Sequence, residues 1–264
     1  MQTAFQFIDL CDSLQFFKRP FGVIQRLGDV AGVAPEADLT VRAARLLATH
    51  ARASGLDPLG RLPGVAIAVE KRLPMQGGVG GGSSDAATTL VALNWLWGLG
   101  FGPHALARLG LQLGADVPVF VHGRAAWAEG VGEVLQPLVL PPAWYVVLTP
   151  MVAVSTARIF SHPELKRDSK RVTIQSFSAA GPNENDLEPV VCREHPEIAR
   201  HLDWLRQFGR AMLTGSGACV FSGFESAGEA RAVLGKLPGS MTGFVARGLD
   251  RHPLRDLAHG VCQA

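Results

Sequence analysis

The sequence has few cysteines, few aromatic residues and almost no net charge. Its four cysteines, Cys11, Cys192, Cys219 and Cys262, include no Cys-x-x-Cys pair. A chain of 264 residues is large enough to fold on its own core without disulfide staples. Scattered reduced thiols, as in a cytoplasmic protein, are the expected state. The eight histidines hold no His-Glu-x-x-His. His195 and His201, a close pair expected on one helix, lack the spacing that shares a face, so no zinc site is expected. Lys plus Arg number 25 against 23 Asp plus Glu, a formal charge of +2. That balance supplies no field to gather nucleic acid or an anionic membrane, yet leaves room for a local basic pocket for a phosphorylated small molecule. No apolar run approaches the ~18 residues of a spanning helix. Met1 to Gln6 carry no basic-then-apolar pattern, so no signal peptide is expected. Repeats and low-complexity tracts are absent. With 47% hydrophobic and 18% charged residues, the composition excludes disorder.

What is present alternates between strand and helix patterns. Residues 3–10, 13–17 and 21–27 read as strands. Asp38 can cap a helix in which Leu39, Ala43, Leu46 and Leu47 share a face, and Gly55 can end it. Val65, Ile67 and Val69 alternate with small or polar residues, the period of a strand. Helices are expected over about 85–97 and 104–113, then strands over 117–121 and 144–148. Composition changes after Pro150, and residues 161–185 read as irregular. Beyond them the order is helix (196–208), strand (210–213), a Gly-Ser-Gly loop, strand (219–222), helix (226–234) and strand (244–247). Helices on one face of a small antiparallel sheet satisfy that order. A domain boundary is expected near residue 150, dividing the chain into 1–150 and 151–264.

The densest glycine cluster is Gly77-Gly78-Val79-Gly80-Gly81-Gly82-Ser83-Ser84, directly before a helix. Glycine accepts positive φ and lets backbone approach a ligand closely. Backbone N–H groups at a helix N-terminus make an anion site. Ser83 and Ser84 add hydroxyls that could cap the helix or touch a metal ion. From the residues alone, a phosphate cradle and a flexible serine-capped loop both remain open. Two familiar phosphate motifs fail. From Gly78 the sixth position of a dinucleotide fingerprint is Ser83, and from Gly77 the P-loop lysine position is also Ser83. Asp116, between a helix end and a strand, is open to a turn role as well as a chemical one.

The run Pro74-Met75-Gln76-Gly77-Gly78-Val79-Gly80-Gly81-Gly82-Ser83-Ser84-Asp85-Ala86-Ala87 resembles the Pro-x-x-x-Gly-Leu-Gly-Ser-Ser-Ala loop of certain small-molecule kinases. These are the kinases named for galactokinase, homoserine kinase, mevalonate kinase and phosphomevalonate kinase. The triple glycine before Ser83-Ser84, and Lys71-Arg72-Leu73-Pro74 ahead of the loop, are similar to one branch of them. That branch phosphorylates the 2-hydroxyl of 4-diphosphocytidyl-2-C-methyl-D-erythritol in non-mevalonate isoprenoid (terpenoid) biosynthesis. Leu113-Gly114-Ala115-Asp116-Val117-Pro118-Val119-Phe120, Ala128-Glu129-Gly130-Val131-Gly132-Glu133, Asn185-Asp186-Leu187-Glu188 and Leu213-Thr214-Gly215-Ser216-Gly217-Ala218-Cys219-Val220-Phe221 follow in family order.

The resemblance implies a two-domain α+β kinase fold. An N-terminal mixed sheet with helices would bind ATP and carry catalysis (1–150). A C-terminal ferredoxin-like α/β sandwich would bind substrate (151–264). It implies ATP and Mg²⁺ as cofactors, with Pro74, Met75, Gln76, Gly77, Gly78, Val79, Gly80, Gly81, Gly82, Ser83 and Ser84 around the nucleotide. It makes Asp116 the catalytic carboxylate, within reach of the attacking hydroxyl. Phe160 would stack on cytosine, Ser155 and Thr156 nearby could bond to the base or simply cap a helix, and Gly215, Ser216 and Gly217 would approach the substrate diphosphate or the glycine loop. The metal ligands are not assigned. The implied partner is the cytidine diphosphate-linked methylerythritol, in the cytoplasm, with neither nucleic acid nor membrane. Gln76 stands where the family has the first loop glycine. The family also begins with a strand carrying Pro-Ala-Lys-x-Asn-Leu, whose lysine lies beside the aspartate, followed by a Tyr-His pair for cytosine. Met1 to Phe7 resemble what comes after those segments, and the single tyrosine, Tyr145, belongs to another block. A chain without that strand is expected to be a poor kinase. The alternatives are an impaired nucleotide-binding relative and a superfamily kinase for another small alcohol.

Overall fold

The structure, a computed structural model, describes residues 2–30, 32–180 and 184–255. Two short strands come first, β1 (Gln2–Phe5) and β2 (Phe7–Ile8). They are parted at Gln6, whose Oε1 accepts a hydrogen bond from the Tyr145 hydroxyl. Next are β3 (Ser13–Arg19), β4 (Ile24–Leu27), α1 (Leu39–Ala53) and β5 (Gly64–Glu70). β5 is the middle of a mixed sheet, antiparallel to β3 and parallel to β4. α1 starts at Asp38 because its carboxylate accepts the Thr40 N–H at 2.8 Å, relieving one orphan donor of the first turn. Three helices follow: α2 (Gly81–Leu96), α3 (Pro103–Leu111) and α4 (Val117–His122). Leu47 of α1, Ile67 of β5, Leu90 and Leu93 of α2 and Leu106 of α3 are all buried in one cluster. Each such side chain stabilises the fold by roughly 1.5–3 kcal/mol.

β6 (Ala126–Glu129) and β7 (Val134–Pro137) form a second small sheet with β1, in the order β1-β6-β7. The remaining elements are β8 (Trp144–Leu148), α5 (Thr156–Ser161), α6 (Ile174–Ala180), α7 (Glu188–Glu194), α8 (Pro196–Leu205), β9 (Ala211–Leu213), β10 (Val220–Phe224), α9 (Ala227–Leu234) and β11 (Gly243–Leu249). They build an antiparallel sheet in the order β2-β11-β8-β10-β9. From β8 onward this is the split βαβ arrangement of ferredoxin-like sandwiches. Val146, Leu148 and Val220 of the sheet pack on Val191, Ile198, Leu202 and Leu205 of α7 and α8. The position near residue 150 falls just after β8, whose ladder bonds all belong to this sheet. β2 pairs with the far end of β11, so the first strands tie the two halves together. Among the described residues no helix is long and apolar enough to cross a membrane.

Three local expectations change. Residues 117–121 are helix α4, not a strand. The run Val117-Pro118-Val119-Phe120-Val121 is apolar throughout, and such short runs do not declare their period. Pro118 suits a first helical turn, and Gly123 at φ 62° closes the helix in the left-handed region. The strand expected from Phe21 is delayed to Ile24 by a turn in which the Val23 N–H bonds to Pro20 O at 3.2 Å. The irregular stretch 161–185 contains α6.

Candidate active site

The glycine run divides into a turn and a helix. α2 begins at Gly81, four residues earlier than its first acidic residue Asp85. Gly80 is the N-cap at φ 73° and supplies no side-chain cap. Ser83 and Ser84 therefore lie inside the first turn instead of capping it. The Ser84 N–H closes the first helical bond on Gly80 O at 2.9 Å. The N–H groups of Gly81, Gly82 and Ser83 point out of the helix end with no acceptor within it. A side chain at Gly80 would collide with the Phe120 ring, 2.8 Å from its Cβ, and one at Gly78 with Thr214 O at 2.3 Å. Glycine is required at both positions by φ and by space together.

The Gly215-Ser216-Gly217 segment grips this loop. The Ala218 and Cys219 N–H groups donate to Gln76 O and Gly77 O at 3.2 and 2.9 Å. The Thr214 hydroxyl donates to Gly78 O at 2.9 Å. The grip is itself held by Asn185, whose amide donates to Leu213 O (2.9 Å) and Gly215 O (2.8 Å). Glu188 accepts the Leu213 N–H at 3.0 Å and pairs with Arg206. The Thr156 and Ser216 hydroxyls meet at 2.7 Å, so α5 is joined to the same segment. On α5 the buried Ile159 anchors the helix, while Phe160 leaves 44% of its surface exposed.

Asp116 lies between α3 and α4, half-buried. Its side chain makes no capping bond to α4, the task a turn aspartate would have there. Burial pushes its carboxyl above the usual carboxylate value. Two residues earlier, a Cβ on Gly114 would lie 3.8 Å from Ser83 Oγ, so the Asp116 loop abuts the first turn of α2.

An ion cluster that the motifs did not announce stands behind the loop. Lys71 Nζ is 2.5 Å from Asp12 Oδ2 and 2.9 Å from Asp85 Oδ2. Asp12 also accepts the N–H groups of Arg72 (2.6 Å) and Leu73 (2.8 Å). Burial alone would raise Asp12, but the Leu73 N–H, the Lys71 ammonium and the Arg72 N–H outweigh it and hold the carboxyl low. Burial pushes Asp85 up to about 6 against the pull of Lys71. For Lys71 burial works downward, and the two carboxylates more than offset it. A lysine two residues before Leu73-Pro74 and a buried aspartate near the start of α2 are what the sequence offers. His252, near the end of the described chain, approaches Ser84 Oγ at 3.3 Å and carried no signal at all. Among the described residues no three His, Cys, Asp or Glu side chains form a metal-binding group.

Known proteins share this architecture. The GHMP kinases N terminal domain matches residues 38–124, and the GHMP kinases C terminal domain matches 172–242. A 4-diphosphocytidyl-2-C-methyl-D-erythritol kinase from Thiobacillus denitrificans is 56% identical over 256 residues, 97% of this chain and 89% of the relative. The kinase of the same name from Nitrosospira multiformis is 53% identical over 261 residues, 98% of this chain and 86% of the relative. The crystal structure of a 4-(cytidine 5'-diphospho)-2C-methyl-D-erythritol kinase superposes with a TM-score of 0.76 at 32% identity, covering 94% of this chain and 89% of that one. A mevalonate kinase shares the fold at a TM-score of 0.66 and 13% identity, covering 95% and 93%.

Proposed function

The chain belongs to the GHMP kinases, alongside the 4-diphosphocytidyl-2-C-methyl-D-erythritol kinases, and on that premise we propose that it moves the γ-phosphoryl group of ATP onto the 2-hydroxyl of that cytidine substrate. The observation that carries the mechanism is the meeting of an uncapped α2 N-terminus with the Asp116 loop, through Gly114 and Ser83. The Gly81, Gly82 and Ser83 N–H groups would bind phosphate oxygens, aided by the helix dipole. Asp116 would accept the hydroxyl proton as the alcohol oxygen attacks phosphorus and ADP departs. Because its side chain is not engaged in capping, its lone pairs are available to a substrate hydroxyl. The site otherwise works by positioning and by neutralising charge.

Mg²⁺ fits the donors at this mouth. The Ser83 and Ser84 hydroxyls are hard oxygen donors on the phosphate-facing turn, and Mg²⁺ commonly relies on a few protein oxygens plus substrate phosphates in place of an all-protein cage. When bound it would offset the charge on the transferring phosphoryl group. Exposed Phe160 offers a stacking face for cytosine, and the joined Thr156 and Ser216 hydroxyls offer polar contacts beside it. On this reading the elements before β8 hold ATP and those from β8 onward hold the cytidine diphosphate. The use of ATP and of a multiply charged cytidine diphosphate substrate supports a cytoplasmic location. The test is ADP release and phosphorus NMR with the cytidine substrate beside mevalonate, homoserine and galactose. Preference for the cytidine substrate over the other three alcohols is expected. Phosphorylation of another alcohol in preference to it would overturn the assignment.

A further inference from the structure

After β11 the chain turns back across the first turn of α2. The His252 N–H donates to Gly123 O at 3.1 Å. Its ring meets Phe7 and Phe120 edge-on, with centroids 5.4 and 6.0 Å apart. Phe120 is the ring that fills the space beside Gly80. The imidazole is thus fixed on both sides by groups that also shape the glycine loop. Its Nδ1 accepts the Leu254 N–H at 3.2 Å. A backbone N–H can only donate, so Nδ1 carries no proton and Nε2 must. Nε2, 3.3 Å from Ser84 Oγ, is therefore the donor of that contact.

A serine hydroxyl has one proton and two lone pairs. A serine within a helix tends to turn its proton onto the carbonyl four residues back, here Gly80 O, which already accepts the Ser84 N–H. The imidazole offers a competing partner from outside the helix. We infer that His252 is a positioning residue for the phosphate loop: its Nε2–H holds Ser84 Oγ by one lone pair and leaves the serine proton to donate to a phosphate oxygen of bound ATP. The inference rests on the reading of the glycine loop as the ATP phosphate site, and it adds to that site a contact 168 residues away in the chain.

ATP binding measured by calorimetry, with melting temperature as the control for folding, tests it. His252→Phe keeps a buried ring and removes the donor, and should weaken ATP binding roughly three- to tenfold, the worth of one hydrogen bond. His252→Gln carries an N–H donor at the matching distance and should restore affinity. Ser84→Ala should lose the same factor as His252→Phe, and combining the two should lose nothing further. Unchanged affinity in His252→Phe, or an undiminished loss when it is added to Ser84→Ala, overturns the inference. Should the phenylalanine variant not fold, Ser84→Ala decides, since it leaves the imidazole packing intact; wild-type affinity there is equally fatal. An unaltered chain that binds no ATP overturns the phosphate-site reading together with this one. A chain that binds ATP regardless of His252 overturns this one alone.

Discussion

Replacing Asp116 by asparagine separates what the residue does for chemistry from what it costs the fold. The substitution keeps shape and removes the base. Loss of a positioned general base lowers turnover by about 10²–10⁴, about 3–5 kcal/mol of transition-state stabilisation at ~1.36 kcal/mol per decade. ATP affinity should hold, because the N–H groups of Gly81, Gly82 and Ser83 are untouched. Stability should move in the opposite direction. Asp116 is desolvated and makes no capping bond to α4, and its carboxyl is raised above 3.8 by burial alone. The folded state therefore binds the proton more tightly than the unfolded chain. Its contribution to stability is fully present below 3.8 and is lost as pH rises through the folded value. At neutral pH the ionised carboxylate is a net burden that asparagine removes. Melting curves should place Asp116→Asn above the unaltered protein at about pH 7, with the gap closing as pH falls toward 4. Turnover of the unaltered enzyme should fall over the same acid limb, as the base takes up its proton. Near-normal turnover in Asp116→Asn would reduce the residue to a turn, and a lower melting temperature at neutral pH would refute the claim that its burial is uncompensated.

Lys71→Met leaves two buried carboxylates, with side chains 1% and 9% exposed, facing each other without their cation. The cost should be about 3–5 kcal/mol while both carboxylates are ionised, and it should shrink as pH falls, beginning above the value of about 6 that Asp85 has beside Lys71, because the lysine's downward pull is gone; urea melts against pH check it, and a pH-independent loss would count against the shared-cation account. Gly80→Ala meets both a φ of 73° and the Phe120 ring at 2.8 Å, so it should lose about 1–2 kcal/mol of stability from the left-handed backbone alone and weaken ATP binding as well. Gly98→Ala, at φ 65° with open space around it, should lose stability and keep ATP affinity; equal ATP affinities for the two variants would remove Gly80 from the site. Phe160→Ala should raise KM for the cytidine substrate about five- to 150-fold, from the roughly 1–3 kcal/mol of a base stack, with KM for ATP unchanged in steady-state assays.

What could be read before folding was read from local signals. Asp38 before Leu39 is a side-chain cap, and α1 starts where that residue places it. The glycine run announced a close backbone approach, and its approach to Gly215-Ser216-Gly217 is made through main-chain bonds from Ala218 and Cys219. Such bonds carry no side-chain signature, so the motif could be matched to a family while its grip on Gln76 and Gly77 could not be deduced. Val117 to Val121 failed for a different reason. Period-2 and period-3.6 templates both accept an unbroken apolar run, and here burial against α2 and α3 selects the helix. The ion cluster failed for a third. Asp12 and Lys71 are 59 residues apart, and each alone looks like a solvated charge beside a strand end. Only when β3 and β5 pair, Ser13 opposite Glu70, are the residues flanking that pair brought together behind the loop. Register is thus what converts two ordinary charges into a buried support for Gly81, where a Cβ would come within 3.4 Å of Lys71 Nζ and 3.5 Å of Asp12 Oδ2. The strand pairing that carries the chain into the loop is therefore also part of what sets the backbone donors the loop presents.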